Sequence, residues 1–325
     1  MIADGNLMKQ LNLNKVRWIM KNRGELSKPE IARETGLSVV TVNSLVRALV
    51  ESGELLAAEG VAGANGRPAM RYRFNEEYSR GIALCLREGE GKQVILAAVV
   101  NRSGRQIARD RFCFETVGPG EIRMVMNGLL ESYDNIKAAS IGLPGPVKDN
   151  RVICCDFPAL QEGDLAAELS AEFGIPVILE NDVNAAILGY SRRTVLTDEA
   201  CVAGLYFPER FCMGCGIYLM GQIWRGKRAM AGELFGLPVN RRPKGGLSPQ
   251  EFLDCIGENM RILTAVLDPE QIVVYCEDAD SYAGVKLPEA EDGPQLVFSR
   301  EFEADYRSGV ARLAVEKLDQ GMVLP

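Results

Sequence analysis

The chain has 325 residues, 47% apolar and 25% charged, the balance of an ordinary globular protein with room for two or three domains. No apolar run approaches the roughly 20 residues a membrane span requires, and Met1-Ile2-Ala3-Asp4-Gly5-Asn6 lacks the basic and apolar regions of a signal peptide, so a cytoplasmic location is expected. A net charge of −7 excludes nucleic-acid binding by the whole surface; yet residues 1–75 hold 11 Lys and Arg against 7 Asp and Glu, the remainder 26 against 37, as suits phosphate contact at one end only.

A first helix is predicted over residues 6–22, burying Val16, Ile19 and Met20. Ser27-Lys28-Pro29-Glu30 is a capping-box pattern with proline in the first turn, where a missing N–H does no harm. Gly36 is placed to end that short helix in a left-handed conformation. Ser38 then caps another helix, in which Val42, Leu45, Val46 and Leu49 form the buried stripe and Gly53 closes the segment. Its other side, with Ser38, Val39, Val40, Thr41, Asn43, Ser44 and Arg47, carries side chains suited to a DNA major groove. Leu55-Leu56 opens a strand, 60–68 is a turn-rich loop with Arg67 at its tip, and Met70, Tyr72 and Phe74 alternate with Arg71 and Arg73 in a returning strand. The pattern is that of a helix-turn-helix with a basic wing, Arg67, Arg71 and Arg73 serving minor-groove or phosphate contact. The competing reading is a helical hairpin that merely packs onto its neighbours.

From Arg80 onward strands and helices alternate. Strands are expected over 81–86, 94–100 and 106–114, a helix after Pro119, and a buried strand over 138–143 that ends in Gly142-Leu143-Pro144-Gly145-Pro146. A helix over 164–173, a strand over 176–179 and a helix over 185–190 follow, with Glu180-Asn181-Asp182 at the handover. Such alternation indicates an α/β body with a mixed sheet, whose ligands bind at the carboxyl ends of strands. The nine cysteines have no framework spacing and there is no histidine, which favours reduced thiols. Cys212-Met213-Gly214-Cys215 spells a C-x-x-C without a second ligand pair, and Cys154-Cys155 is expected to pack as small apolar residues. No metal and no cofactor are expected.

In this order and at these spacings the residues resemble the ROK family, which joins sugar-responsive repressors and sugar kinases on one actin-like scaffold. The resemblance rests on the head with its Gly66-Arg67-Pro68, the 142–146 turn, Ile175-Pro176-Val177 leading into Glu180-Asn181-Asp182-Val183-Asn184-Ala185-Ala186, Gly214-Cys215-Gly216-Ile217, Gly221, Gly226, Ala231-Gly232-Glu233 and Leu267-Asp268-Pro269. It implies sugar-hydroxyl contacts for Asn181, Asp182 and Glu233, the amide donating and accepting and the carboxylates accepting from hydroxyls. Competing roles are a helix cap for Asn181 or Asp182, a solvated loop carboxylate for Glu233, and a tight strand approach for Gly214 and Gly216. In a kinase Asp182 would be the catalytic base.

The departures from the family pattern are as informative. The phosphate-receiving Asp-x-Gly-Gly-Thr loop is replaced by Gly81-Ile82-Ala83-Leu84-Cys85-Leu86-Arg87-Glu88, and the adenosine-seating glycine-rich segment by Val274-Tyr275-Cys276-Glu277-Asp278. The family zinc site is replaced by residues 232–246, and a sugar-binding asparagine by Ala159. The expected fold class is therefore α/β, with an N-terminal winged helix-turn-helix and an actin-like (ribonuclease H-like) two-lobed body. The expected domains are 1–78, a first lobe over 79–185 with a helix over 303–320 as candidate to complete it, and an effector and dimerisation lobe over 186–302. The expected function is a non-enzymatic transcriptional regulator of repressor type. Its expected partners are double-stranded DNA, a sugar or sugar-phosphate effector, and a second copy or more of itself in a dimer or tetramer. A carbohydrate kinase with a vestigial head, and a regulator that has lost ligand sensing and acts through oligomerisation or a protein partner, are the alternatives.

Overall fold

The computed structural model describes residues 3–58, 70–208, 213–240, 247–282, 284–285, 287 and 293–320. The expected wing tip with Arg67, the thiol of Cys212 and the segment 241–246 lie outside the described residues. The chain divides into two compact units. The smaller comprises Met1–Arg80 together with Asn101–Arg105 and Val315–Pro325, and the larger comprises the rest. No described helix is long and apolar enough to cross a membrane.

The smaller unit opens with α1 (Ala3–Arg23), β1 (Leu26–Ser27), α2 (Lys28–Thr35) and α3 (Val39–Glu51), followed by β2 (Leu55–Ala58) and β3 (Arg71–Phe74). The local chemistry accounts for each boundary. Both the backbone N–H and the hydroxyl of Ser27 donate to Glu30 at 2.7 Å, which holds the start of α2. Gly36 ends α2 at φ +67, and the Ser38 hydroxyl accepts from the Thr41 N–H at 3.1 Å to start α3. The two-residue strand β1, which has no sequence signature, pairs antiparallel with β3, and β3 pairs antiparallel with β2. Val16, Met20, Ile31, Val42, Val46 and Leu49 pack with Leu55, Tyr72 and Phe74 into one core. A bidentate pair, Arg17 with the buried Glu54 at 2.6 and 2.7 Å, ties α1 to the segment before β2.

This unit is discontinuous in sequence. Asn101 folds the turn 101–105 by accepting from the Ser103 and Arg105 N–H groups and donates to Glu77 at 2.7 Å. Arg102 lies over the Phe74 ring, 4.9 Å from its centroid, and reaches Asp319 at 2.8 Å; Asp319 also pairs with Lys21.

In the larger unit a five-stranded sheet has the order β10-β7-β4-β5-β6. Its members are β4 (Arg80–Gly89), β5 (Lys92–Asn101), β6 (Gln106–Phe114), β7 (Ile136–Leu143) and β10 (Val177–Asn181). β7 and β10 are parallel, β5 and β6 antiparallel. A second five-stranded sheet has the order β13-β12-β11-β14-β15, formed by β11 (Cys201–Tyr206), β12 (Gly214–Leu219), β13 (Gln222–Ile223), β14 (Gln271–Tyr275) and β15 (Gln295–Ser299). β11, β14 and β15 run parallel, so both sheets are mixed.

Strand alternation sorts the side chains into layers. Ile82, Leu84 and Leu86 of β4 face α4 (Pro119–Ser132) and α5 (Leu165–Phe173), whereas Ala83 and Cys85 face a core built on α6 (Asp182–Arg193) and α8 (Phe302–Leu318). Val202 of β11 and Val273 of β14 join that same α6/α8 core, while Ala203, Leu205, Ile272 and Val274 pack on α7 (Pro249–Leu267). Helices α6 and α8 thus serve both sheets, and the expected lobe boundary after residue 185 falls inside α6. That helix begins at Asp182, earlier than the expected 185, because Asn181 caps it.

The α6/α8 contact is backbone on backbone. A Cβ at Gly309 would lie 1.7 Å from the Ala185 carbonyl oxygen, and one at Gly189 would lie 1.9 Å from that of Asp305. Asp305 is buried and accepts two hydrogen bonds from Arg193 and a third from the Tyr275 hydroxyl.

A short hairpin, β8 (Val147–Lys148) with β9 (Arg151–Val152), turns at Asp149 and Asn150, both at positive φ. The Asn150 amide donates to the Val177 carbonyl and accepts from the Leu179 N–H, which covers the free edge of β10.

Candidate functional site

Two surfaces combine exposed polar chemistry with a rigid support, one in each unit. On the smaller unit, α3 buries Val42, Leu45, Val46 and Leu49 and turns the opposite side to solvent. Ser38, Val39, Val40, Asn43, Ser44 and Arg47 are exposed and Thr41 is partly so. Val40 is 79% exposed, an apolar side chain with no core to enter. Arg47 pairs with Glu51 one turn on, and both are largely open to water. Of the arginines expected on a wing, Arg73 is exposed. Arg71 is turned back, donating to the Glu25 carbonyl at 2.5 Å and pairing with Glu30 at 3.3 Å. Its charge therefore braces β1 and α2 instead of standing free on an outer face.

On the larger unit, a cleft of about 690 Å³ lies at the carboxyl end of β10. Asn181, Asp182 and Glu233 all line it. The Asn181 side chain accepts from the Asn184 N–H at 3.0 Å and donates to Asp182 Oδ1 at 3.0 Å and to the Gly145 carbonyl at 3.3 Å. Asp182 Oδ1 also accepts from the Val183 N–H at 2.8 Å. Asn181 is therefore the cap of α6, as the competing role expected, and it also lines the cleft. Glu233 is carried by Gly232, whose φ of +87 and close approach to the Cys215 carbonyl (1.9 Å from a notional Cβ) require glycine. Gly214 and Gly216 are sites of tight approach to α6: a Cβ on either would lie 2.7 Å from Val183.

Several lining residues carried no sequence signal. Asp156 and Gln161 come from the segment after β9, Tyr206 from the end of β11, and Phe302 from the start of α8, its ring stacked 3.6 Å from that of Tyr206. Cys154, expected to be packed away with its neighbour, is exposed on the cleft wall, while Cys155 is buried. Ala159 is exposed and not among the lining residues. Just behind the site, the buried Glu180 accepts from Asn184 at 3.1 Å and from Arg225 Nε at 2.9 Å, linking β10 to the segment that leads to Glu233. The Cys215 thiol is buried, and burial pushes it up to about 12.

The cleft carboxyls share one electrostatic condition. Burial pushes Asp182 up to about 7, and the neighbouring Asp156 and Glu233 add to the rise. Burial also raises Glu233, with Asp156 contributing, and raises Asp156, with Glu88 contributing. An acid raised in the folded state contributes stability that is complete below its unfolded value near 4 and lost as pH climbs through about 7. Asp182→Asn keeps an oxygen for the Val183 N–H and removes the charge. Its melting temperature should match the parent near pH 4 and exceed it above pH 7. The gap corresponds to roughly 1–3 kcal/mol, less than the full shift because cleft water still screens the group. A gap that does not change with pH would refute the assignment.

Comparison with known proteins agrees with this architecture. The model of the ROK family matches residues 85–256, and the chain belongs to that family. It is 23% identical over 252 residues to the xylose repressor of Bacillus subtilis (strain 168), covering 74% of this chain and 63% of the repressor. It is 34% identical over 113 residues to the N-acetyl-D-glucosamine kinase of Vibrio atlanticus (strain LGP32), covering 33% of this chain and 37% of the kinase. The chain thus spans less than two thirds of the length of these relatives. Among solved structures, a ROK family transcriptional regulator described as a homologue of the E. coli MLC protein superposes with a TM-score of 0.66 at 18% identity, covering 97% of this chain and 98% of its own. The likeness at that identity is one of fold.

Proposed function

We propose that this protein is a sugar-responsive transcriptional repressor in which the smaller unit is a winged helix-turn-helix that binds duplex DNA. The observation that carries the reading is the outward side of α3, where Val40, Asn43, Ser44 and Arg47 stand exposed on a helix whose opposite side is fully buried. Arg73 contacts the backbone or minor groove alongside it, as does Arg67, which lies outside the described residues, and Arg71 holds the strand that carries Arg73. The body is the effector unit: Asn181, Asp182 and Glu233 converge on a cleft of sugar size, beside the stacked Phe302 and Tyr206. Relatives named as xylose repressors support this reading.

Some relatives are sugar kinases, and the cleft bears on that alternative. Where a kinase would seat phosphates, β4 runs to Gly89 and turns into β5 at Glu90 and Gly91, both at positive φ, with Glu88, Glu90 and Glu277 lining the cleft. Carboxylates repel a triphosphate, so the reading is non-enzymatic and Asp182 acts as a hydroxyl acceptor. The test is selection of bound sites from a random duplex pool with the full chain, followed by release of the recovered site by sugars. A two-fold sequence with half-sites spaced by whole helical turns is expected, as for a dimer. No enriched sequence, together with ATP turnover on a hexose, would replace this reading with the kinase one.

A further inference from the structure

The cleft has a lopsided charge. Among its described lining residues, Glu88, Glu90, Asp156, Asp182, Glu233 and Glu277 bear carboxylates, and Arg87 alone bears a cation. That cation is engaged, since the Arg87 guanidinium pairs with Glu303. The nearby Arg225 is likewise held by Glu180. The other usual seat for a phosphate, the N-terminus of a helix, is closed from within: the first free donors of α6, the N–H groups of Val183 and Asn184, already donate to Asp182 and Asn181 at 2.8 and 3.0 Å. A phosphate ester entering here would meet like charges and find its donors taken. Hydroxyl groups face no such conflict, because they donate to carboxylates, and an ammonium group gains from them.

Resting on the reading of this cleft as the effector seat, we propose that it takes a polyol without an anionic group, an uncharged sugar or its amino analogue, and rejects the phosphate ester of the same sugar. The effector would then be a sugar that has not passed through a kinase or a phosphorylating transporter, and the regulator reports on unmodified carbohydrate.

The experiment measures calorimetric affinity of the full chain for a panel of aldoses, each as free sugar, 2-amino sugar and terminal phosphate ester. For the aldose that binds best, the phosphate ester should bind at least about tenfold more weakly, and the amino form as well as the parent or better. A phosphate ester that binds as tightly as its parent overturns the proposal. The charge-reversed variant Glu88→Lys/Glu277→Lys separates charge from shape. It should gain affinity for the ester relative to the free sugar, and an unchanged ratio overturns the electrostatic argument. If operator binding is intact but no sugar in the panel binds at all, the ligand class assigned here is wrong while the reading of α3 stands.

Discussion

Replacing Gly309 with alanine should destabilise the larger unit by about 3 kcal/mol or more. The added methyl would lie 1.7 Å from the Ala185 carbonyl oxygen, and the obstacle is backbone, not the end of a side chain that can swing away. Relief requires α8 to move from α6. Both helices fill the core shared by the two sheets, so the displacement would propagate into Tyr306, Val310 and Ile187. Gly128 provides the matched control. It lies exposed in α4 with nothing within 4 Å of a notional Cβ, so Gly128→Ala should gain roughly 0.5–1 kcal/mol from helix propensity. Urea unfolding midpoints of the two variants should therefore move in opposite directions. A Gly309→Ala protein as stable as the parent would mean that the two helices do not meet as closely as described.

Removing both Asn43 and Arg47 side chains should abolish sequence-specific DNA binding, each contributing on the order of 1–3 kcal/mol of discrimination if it meets a base edge. Arg47 can leave Glu51 at little expense, because an exposed pair at that spacing is worth a fraction of a kcal/mol. Thr41 is a different case, since its hydroxyl lies 2.8 Å from that of Ser38 and belongs to the helix cap. Thr41→Ala should therefore weaken binding through the start of α3 instead of through a base. Arg67→Ala should lower affinity for all sequences alike and reduce the salt slope by about 1, the signature of one lost phosphate contact. Fluorescence anisotropy on the selected site across a salt series reads all of these. If the double variant still distinguished the selected site from random duplex, α3 would not be the reading helix.

What the sequence revealed and what it withheld follow from the range of the interactions. The capping pair Ser27–Glu30, the left-handed Gly36 and the stripe from Val42 to Leu49 are local and repeat with the helix, so they are legible in a window of a dozen residues. Asn181 and Asp182 were legible because they sit where a strand hands over to a helix, a position at which ligands gather. Glu180 and Arg225 are 45 residues apart and share no periodicity, so nothing local announces their pair. Asp156 reaches the cleft only because the β8–β9 hairpin folds over the edge of β10, a tertiary event. Arg71 misled for a related reason. Alternation correctly placed it opposite Tyr72, but alternation does not register a carboxylate arriving from α2.

The turn at 101–105 and the end of α8 bear on how the protein can be dissected. Residues 1–80 expressed alone, or grafted onto another body as an interchangeable DNA reader, would leave behind Arg102, which covers Phe74, and Asp319, which neutralises Lys21. Such a fragment would uncover the Phe74 ring and lose the Asp319 carboxylate that pairs with Lys21. Chimaeras cut after residue 80 should consequently express poorly unless both distant pieces travel with residues 1–80.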